Sequence, residues 1–147
     1  MDDKKKILII ESAKGLSRCY EYLLGEKFEC TCCFTGMEAK KVIERGKRFD
    51  VVIMAIVLPI EDQSLSLEDC YETGIRLMAL MLERGTCRRF YVISTRLKNG
   101  SEISAMCEGK AVLRFEHALD IEPEEFAGNV VRLLSEAITC LDNEATQ

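Results

Sequence analysis

The chain has 147 residues, 48% hydrophobic and 31% charged, which suits one soluble globular domain with its own core. A formal charge of −5 argues against a general nucleic-acid binder, whose surface would be basic. No apolar run approaches the ~20 residues of a membrane span. The apolar "ILII" after the charged "MDDKKK" is too short for a signal peptide, so a cytoplasmic protein is expected.

Apolar runs and helical patterns then alternate along the chain. "KILII" (Lys6 to Ile10) reads as a short, fully apolar strand. "LSRCYEYLL" has helical spacing, with Leu16, Cys19, Tyr20, Leu23 and Leu24 on one face and Gly25 as its stop. "FECTCCF" is a second strand. "GMEAKKVIERGK" is a short helix whose apolar positions are Met37, Val42 and Ile43. "DVVIMAIVL" is nearly continuous in apolar character, which marks a central parallel strand covered on both faces.

A polar stretch from Pro59 to Thr73 reads as a loop, and "GIRLMALMLERG" as an apolar helix stopped by Gly85. "RFYVIST" is a fourth strand, "LKNGSEISAMCEG" a loop with a short helix, and "KAVLRF" a fifth strand. The last helix begins around Pro123, among Glu122, Glu124 and Glu125, residues that suit a helix N-terminus. Phe126, Val130, Leu133, Leu134, Ala137, Ile138 and Leu141 make its inward stripe, and residues 142–147 form a tail. Five strand–helix units imply a doubly wound α/β parallel sheet with helices on both faces. In such sheets the functional crevice lies at the carboxyl ends of the strands. That singles out Glu11 and Ser12, Ala55 to Pro59, Ser94 and Thr95, and Arg114 to Glu116.

Eight cysteines are many for a cytosolic chain, but only "CTCC" (Cys30 to Cys33) is clustered. On a strand, Cys30 and Cys32 face one side and Cys33 the other, so the three do not converge on a metal. The only histidine, His117, is far along the chain, so no metal site is expected. The cysteines read as small buried side chains. A nucleotide loop is absent: no G-x-x-x-x-G-K-S/T occurs, and "ESAKGLS" after the first strand carries one glycine. The carboxylates of the polar stretch (Glu61, Asp62, Glu68, Asp69, Glu72) do not match the spacing of a calcium loop.

The order and spacing of four motifs resemble the receiver domains of two-component response regulators, over about residues 5–141. "KILIIES" resembles the opening strand and acidic pair, and "FDVVIMAIVLP" the central strand with its turn proline at Pro59. "TGIRLMALML" resembles the start of the third helix, with Gly74 as the family's glycine, and "FYVIST" the fourth strand. The resemblance implies a flavodoxin-like (CheY-like) sheet with strand order 2-1-3-4-5. It also implies phosphoryl transfer to an aspartate, assisted by a divalent cation, a hydroxyl and a lysine.

This sequence departs from the pattern at most of those positions. Ala55 stands at the phospho-accepting aspartate, and the acidic pair is Glu11 and Ser12. The lysine falls on Arg114 or Phe115, and the switch aromatic on Ala111 or Val112. Only Ser94, at the hydroxyl position, keeps its kind. With one carboxylate left, Mg²⁺ binding is expected to be weak or absent, and no other cofactor is implied. Drift at several positions at once favours natural loss over a single engineered change at Ala55. A second departure is an insertion of roughly ten residues, about 60–73, beside the old pocket.

The expectation is therefore a single-domain pseudo-receiver of a phosphorelay-type system, not an enzyme, which works by protein–protein binding. The resemblance implies a partner face built from helix four, strand five and helix five, here Arg114, Glu116 and His117, for another signalling protein or a homodimer. Two alternatives stay open. One is a conventional phospho-accepting regulator seen as an Ala55 variant. The other is a thiol-based redox sensor, for which only Cys87, before Arg88 and Arg89, has an electropositive setting.

Overall fold

The structure is a computed structural model; it describes residues 4–56, 58, 67–94, 111–115, 124, 125, 127–129, 131 and 132. Five strands form one sheet: β1 (Lys5–Ile10), β2 (Phe28–Cys33), β3 (Phe49–Ala55), β4 (Cys87–Ser94) and β5 (Ala111–Phe115). Their order is β2-β1-β3-β4-β5 and every pairing is parallel. Three helices connect the first four strands: α1 (Lys14–Leu24), α2 (Gly36–Glu44) and α3 (Leu67–Arg84). Residues 124, 125, 127–129, 131 and 132 are helical as well.

The alternation of strand side chains divides the core in two. Leu8, Ile10, Val52 and Met54 point to one side, where they meet Ala39 and Ile43 of α2 and Leu77, Met78 and Met81 of α3. Ile7, Ile9, Val51 and Ile53 point to the other, against Tyr20 and Leu24 of α1 and Ala127. Residues Ile7 to Ile10 are 0% exposed, as a strand covered on both faces must be. Cys30 and Cys32 pack on the α1 side and Cys33 on the other, as their spacing requires.

Some faces differ from the sequence reading. In α1 the buried residues are Ser17, Tyr20 and Leu24, while Leu23 is 44% exposed. Tyr20 and Leu24 centre the stripe, and a residue one step before Leu24 is turned ~100° away from it. In α2, Ala39 and Ile43 enter the core and Met37 is left 41% exposed. In the last helical stretch Ala127 is buried and Val131, one turn on, packs against the same cluster; the residues of the expected stripe lie outside the described residues.

The largest difference concerns the loop expected over 60–73. Its second half is helix, because α3 begins at Leu67. Cys70, Gly74, Leu77, Met78 and Met81 are all buried and continue one helical stripe through the polar stretch. Glu72 pairs with Arg76 one turn on, and acidic residues near a helix start suit its dipole. The helix ends where the sequence indicates. Gly85 takes a left-handed φ of 62°, its N–H donates to Leu82 O at 3.3 Å, and Thr86 N–H reaches Met81 O at 2.9 Å. The first half of the insertion, the segment between β4 and β5 and the tail lie outside the described residues.

Candidate functional site

Parallel pairing brings the ends of β1, β3, β4 and β5 to one edge. Ile10 pairs with Met54, so Glu11 lies beside Ala55. Ala55 pairs with Ile93, and Ile93 with Arg114. Ser94 pairs with Phe115 at the next level. The backbone thus gathers Glu11, Ser12, Ala55, Ser94, Arg114 and Phe115 at the carboxyl edge, as expected from the topology. Pro59, Thr95, Glu116 and His117 lie outside the described residues.

Ala55 is half-buried and ends its strand in a methyl group. It supplies no nucleophilic oxygen and no metal ligand. Glu11, half-buried one strand away, is held by local bonds. Its N–H donates to Cys33 O at 3.0 Å, and its Oε2 accepts from Ala13 N–H at 3.1 Å. Ala13 is the N-cap of α1 and has no side-chain cap of its own, so the Glu11 carboxylate serves the start of that helix. Burial pushes the Glu11 carboxyl above its ordinary value, and the N–H groups of Ala13 and Ser12 only partly offset this.

These residues do not fit the divalent cation of the receiver chemistry. A hard cation needs several oxygens, and at this edge Glu11 is the one described carboxylate. No cluster of three or more His, Cys, Asp or Glu side chains among the described residues could hold a metal ion. A carboxyl whose burial favours the protonated form is also a poor first ligand.

The turn beyond Ala55 is set against α3 by main-chain contacts. Leu58 N–H donates to Cys70 O at 3.0 Å. Gly74 lies against Ile56, where a Cβ would come within 2.0 Å of the Ile56 carbonyl oxygen. Any other residue would force helix and turn apart. At the mouth of the edge, the Lys14 ammonium sits 5.6 Å from the centre of the Phe34 ring. Thr35 Oγ1 accepts from Glu38 N–H, and Glu38 Oε2 accepts from Phe34 N–H, both at 3.2 Å. This variant of a capping box, spelled "TGME", has Glu38 reaching one residue past the N-cap to hold Phe34 in place, and its Thr-x-x-Glu spacing is a sequence signal of the helix start. The Lys14–Phe34 contact has no such signal, because it joins the first residue of α1 to the β2–α2 connection.

Comparison with known proteins finds no matching family model and no matching curated sequence. Solved structures do match. One is the signal receiver domain of a Vibrio parahaemolyticus protein described as a LuxO repressor, at 16% identity and TM-score 0.62, with 99% of each chain covered. Another is the receiver domain of an HD domain-containing protein from Pseudomonas fluorescens, at 15% identity and TM-score 0.61, covering 99% of this chain and 100% of that one. A third is a CheY-like receiver domain protein from Methanospirillum hungatei, at 16% identity and TM-score 0.57, covering 91% and 96%. The fold is a receiver fold. Ala55 is the last residue of β3 in this fold.

Burial favours the neutral thiol form at the cysteines of β2. Burial raises the Cys30 thiol, with Glu21 adding to the effect. It pushes Cys32 up to about 11 and Cys33 up to about 12. Cys32 Sγ donates to Glu21 Oε2 at 3.5 Å, which further favours the thiol.

Proposed function

We propose that this chain is a receiver-like signalling domain that does not take part in phosphoryl transfer and acts by binding another signalling protein. The observation that carries the proposal is the pairing of Ala55 with a single neighbouring carboxylate, Glu11, already committed to the start of α1. A phosphoryl group has no acceptor there, and a cation that would offset its charge has too few oxygens. The receiver fold of the matching structures supports the signalling role.

Intact mass after incubation with acetyl phosphate and Mg²⁺ tests the reading, on the chain as it stands and on Ala55→Asp. No adduct is expected on the first; one there overturns the proposal. An adduct on Ala55→Asp means that the remaining groups are competent, and it supports a conventional receiver that lost one residue. Without it, the loss extends to the whole pocket. The raised thiols of Cys30, Cys32 and Cys33 speak against these three as sensing cysteines, and the redox alternative rests on Cys87. The proposed partner face comprises Arg114, Glu116, His117 and the outer side of the last helix. Charge reversal at Arg114 and Glu116 should weaken partner binding, and unchanged binding removes this face.

A further inference from the structure

The amino ends of the strands gather basic side chains, in a chain whose formal charge is −5. Lys5 pairs with Phe28 across β1 and β2, and Ile7 with Val51 across β1 and β3. Carried back to the strand starts, these registers set Lys4 between Lys27 and Arg48, at strand spacings of ~5 Å. The neighbouring turns extend the row. Arg45 caps the end of α2, Lys47 follows it, and Arg84 ends α3. The Arg84 guanidinium donates to Glu44 O at 3.5 Å, which ties it to the end of α2 beside Arg45. Lys4, Lys27, Arg45, Lys47, Arg48 and Arg84 are all exposed.

Carboxylates do not balance this row. Glu26, Glu44 and Glu83 are the exposed ones in the same turns and helix ends, and Glu44 is paired with Lys40 at 3.7 Å. Glu29 lies two residues further in, as the register partner of Lys6. Asp50 is turned to β1, where it accepts from Lys6 N–H at 2.8 Å. Among the described residues, no ion pair joins a carboxylate to Lys4, Lys27, Arg45, Lys47 or Arg48.

An apolar recess adjoins one end of the row. Tyr22, 84% exposed, and Leu23 stand on the last turn of α1. With Gly25 and Glu26 they line a cavity of about 390 Å³. Glu26 leads directly into Lys27, whose N–H donates to Leu24 O at 3.1 Å.

We propose that this edge binds a short acidic segment of a partner protein. An apolar side chain of the segment sits at Tyr22 and Leu23, and its carboxylates meet Lys27, Lys4 and Arg48. The contact rests on the binding role proposed above only in having a protein as its partner, and it uses neither Ala55 nor the face at β5. The recess is concave and suits an inserted side chain, whereas a lipid surface is met by apolar groups that project into it. A nucleic acid is a long polyanion that would run past the row onto a chain of net negative charge, and the exposed residues of the row include no aromatic ring on which a base could stack.

Fluorescence anisotropy of a labelled peptide, one leucine followed by four glutamates, tests this on the whole chain. Binding that weakens as salt rises is expected, and no binding up to millimolar protein overturns the proposal. Lys4→Glu combined with Arg48→Glu should weaken binding roughly tenfold or more; equal binding by parent and variant overturns the placement. Tyr22→Ala should weaken the leucine peptide and leave a peptide with glycine in its place unaffected, and no difference between the two overturns the apolar subsite. These side chains are exposed, so the core stays intact, and circular dichroism checks that it does. Arg114→Glu should leave peptide binding unchanged; loss of binding there moves the contact to β5 and overturns this one. Tighter binding of phosphatidylserine vesicles or of a single-stranded oligonucleotide than of the peptide, lost in the same charge-reversed variant, overturns the peptide as the occupant.

Discussion

On the α3 side of the β3 turn, the fit is made by backbone. Gly74 admits the Ile56 carbonyl and Cys70 O receives the Leu58 N–H. On the β1 side, the fit depends on side chains. Glu11 caps the start of α1 and Ala55 offers only a methyl group. The difference teaches that the shape of this pocket and its reactivity are separate properties. The main-chain contacts hold the turn whichever residue occupies position 55.

Four substitutions can break or sharpen that contrast. Gly74→Ala has the largest expected effect, since the overlap is with main chain that cannot swing aside. A loss of about 3 kcal/mol in urea unfolding is expected; a change within experimental error would mean that helix and turn slide freely. Ala55→Asp should follow, at about 1–2 kcal/mol, because it sets a second half-buried carboxylate beside Glu11. Added Mg²⁺ should recover part of that loss in a thermal melt if shape alone suffices to rebuild the cation site. Thr35→Ala removes the cap of α2 and should cost about 1 kcal/mol, read from the same unfolding curves. It should leave the Gly74 contact undisturbed.

The smallest effect is expected at Glu11, and it depends on pH. Its folded value lies above its unfolded one, so folding favours the protonated form. That contribution is fully present below the ordinary carboxylate range and is lost as pH rises through the raised folded value. Glu11→Gln keeps an acceptor for Ala13 N–H without the charge. It should therefore melt higher than the parent at neutral pH, with the gap closing in acid. A gap that widens in acid would show that the carboxylate stabilises the fold through α1.

Much of the fold was legible because its strongest signals are local. "KILII" and "DVVIMA" are apolar without interruption, and only strands covered on both faces need that. Gly85 announced the end of α3 through a conformation few other residues adopt. The start of α3 was harder to read, since "LEDCYET" is polar by composition. Its buried residues, Cys70 and Gly74, are small and carry little hydropathy. Met37 and Leu23 were misplaced because each helix holds more apolar residues than its core face needs, and tertiary packing decides which are left out. At the site, the place of Ala55 at the end of β3 was legible from the strand pattern alone. The use of Glu11 as a helix cap could not, because it depends on the geometry of the turn at Ser12 and Ala13.

The position of β1 also bears on how the chain reaches this structure. It lies between β2 and β3, and each of those partners is reached only across a helix. No hairpin can cover it early, and parallel pairing of this kind folds slowly. Ile7 to Ile10 gain both of their strand partners only through such non-local pairing. Such segments pair readily with their like on other chains. Lys4, Lys5 and Lys6 stand directly before them and carry like charge into any such encounter. Charged residues flanking an unavoidable apolar strand are the placement by which such pairing is opposed before a native surface exists.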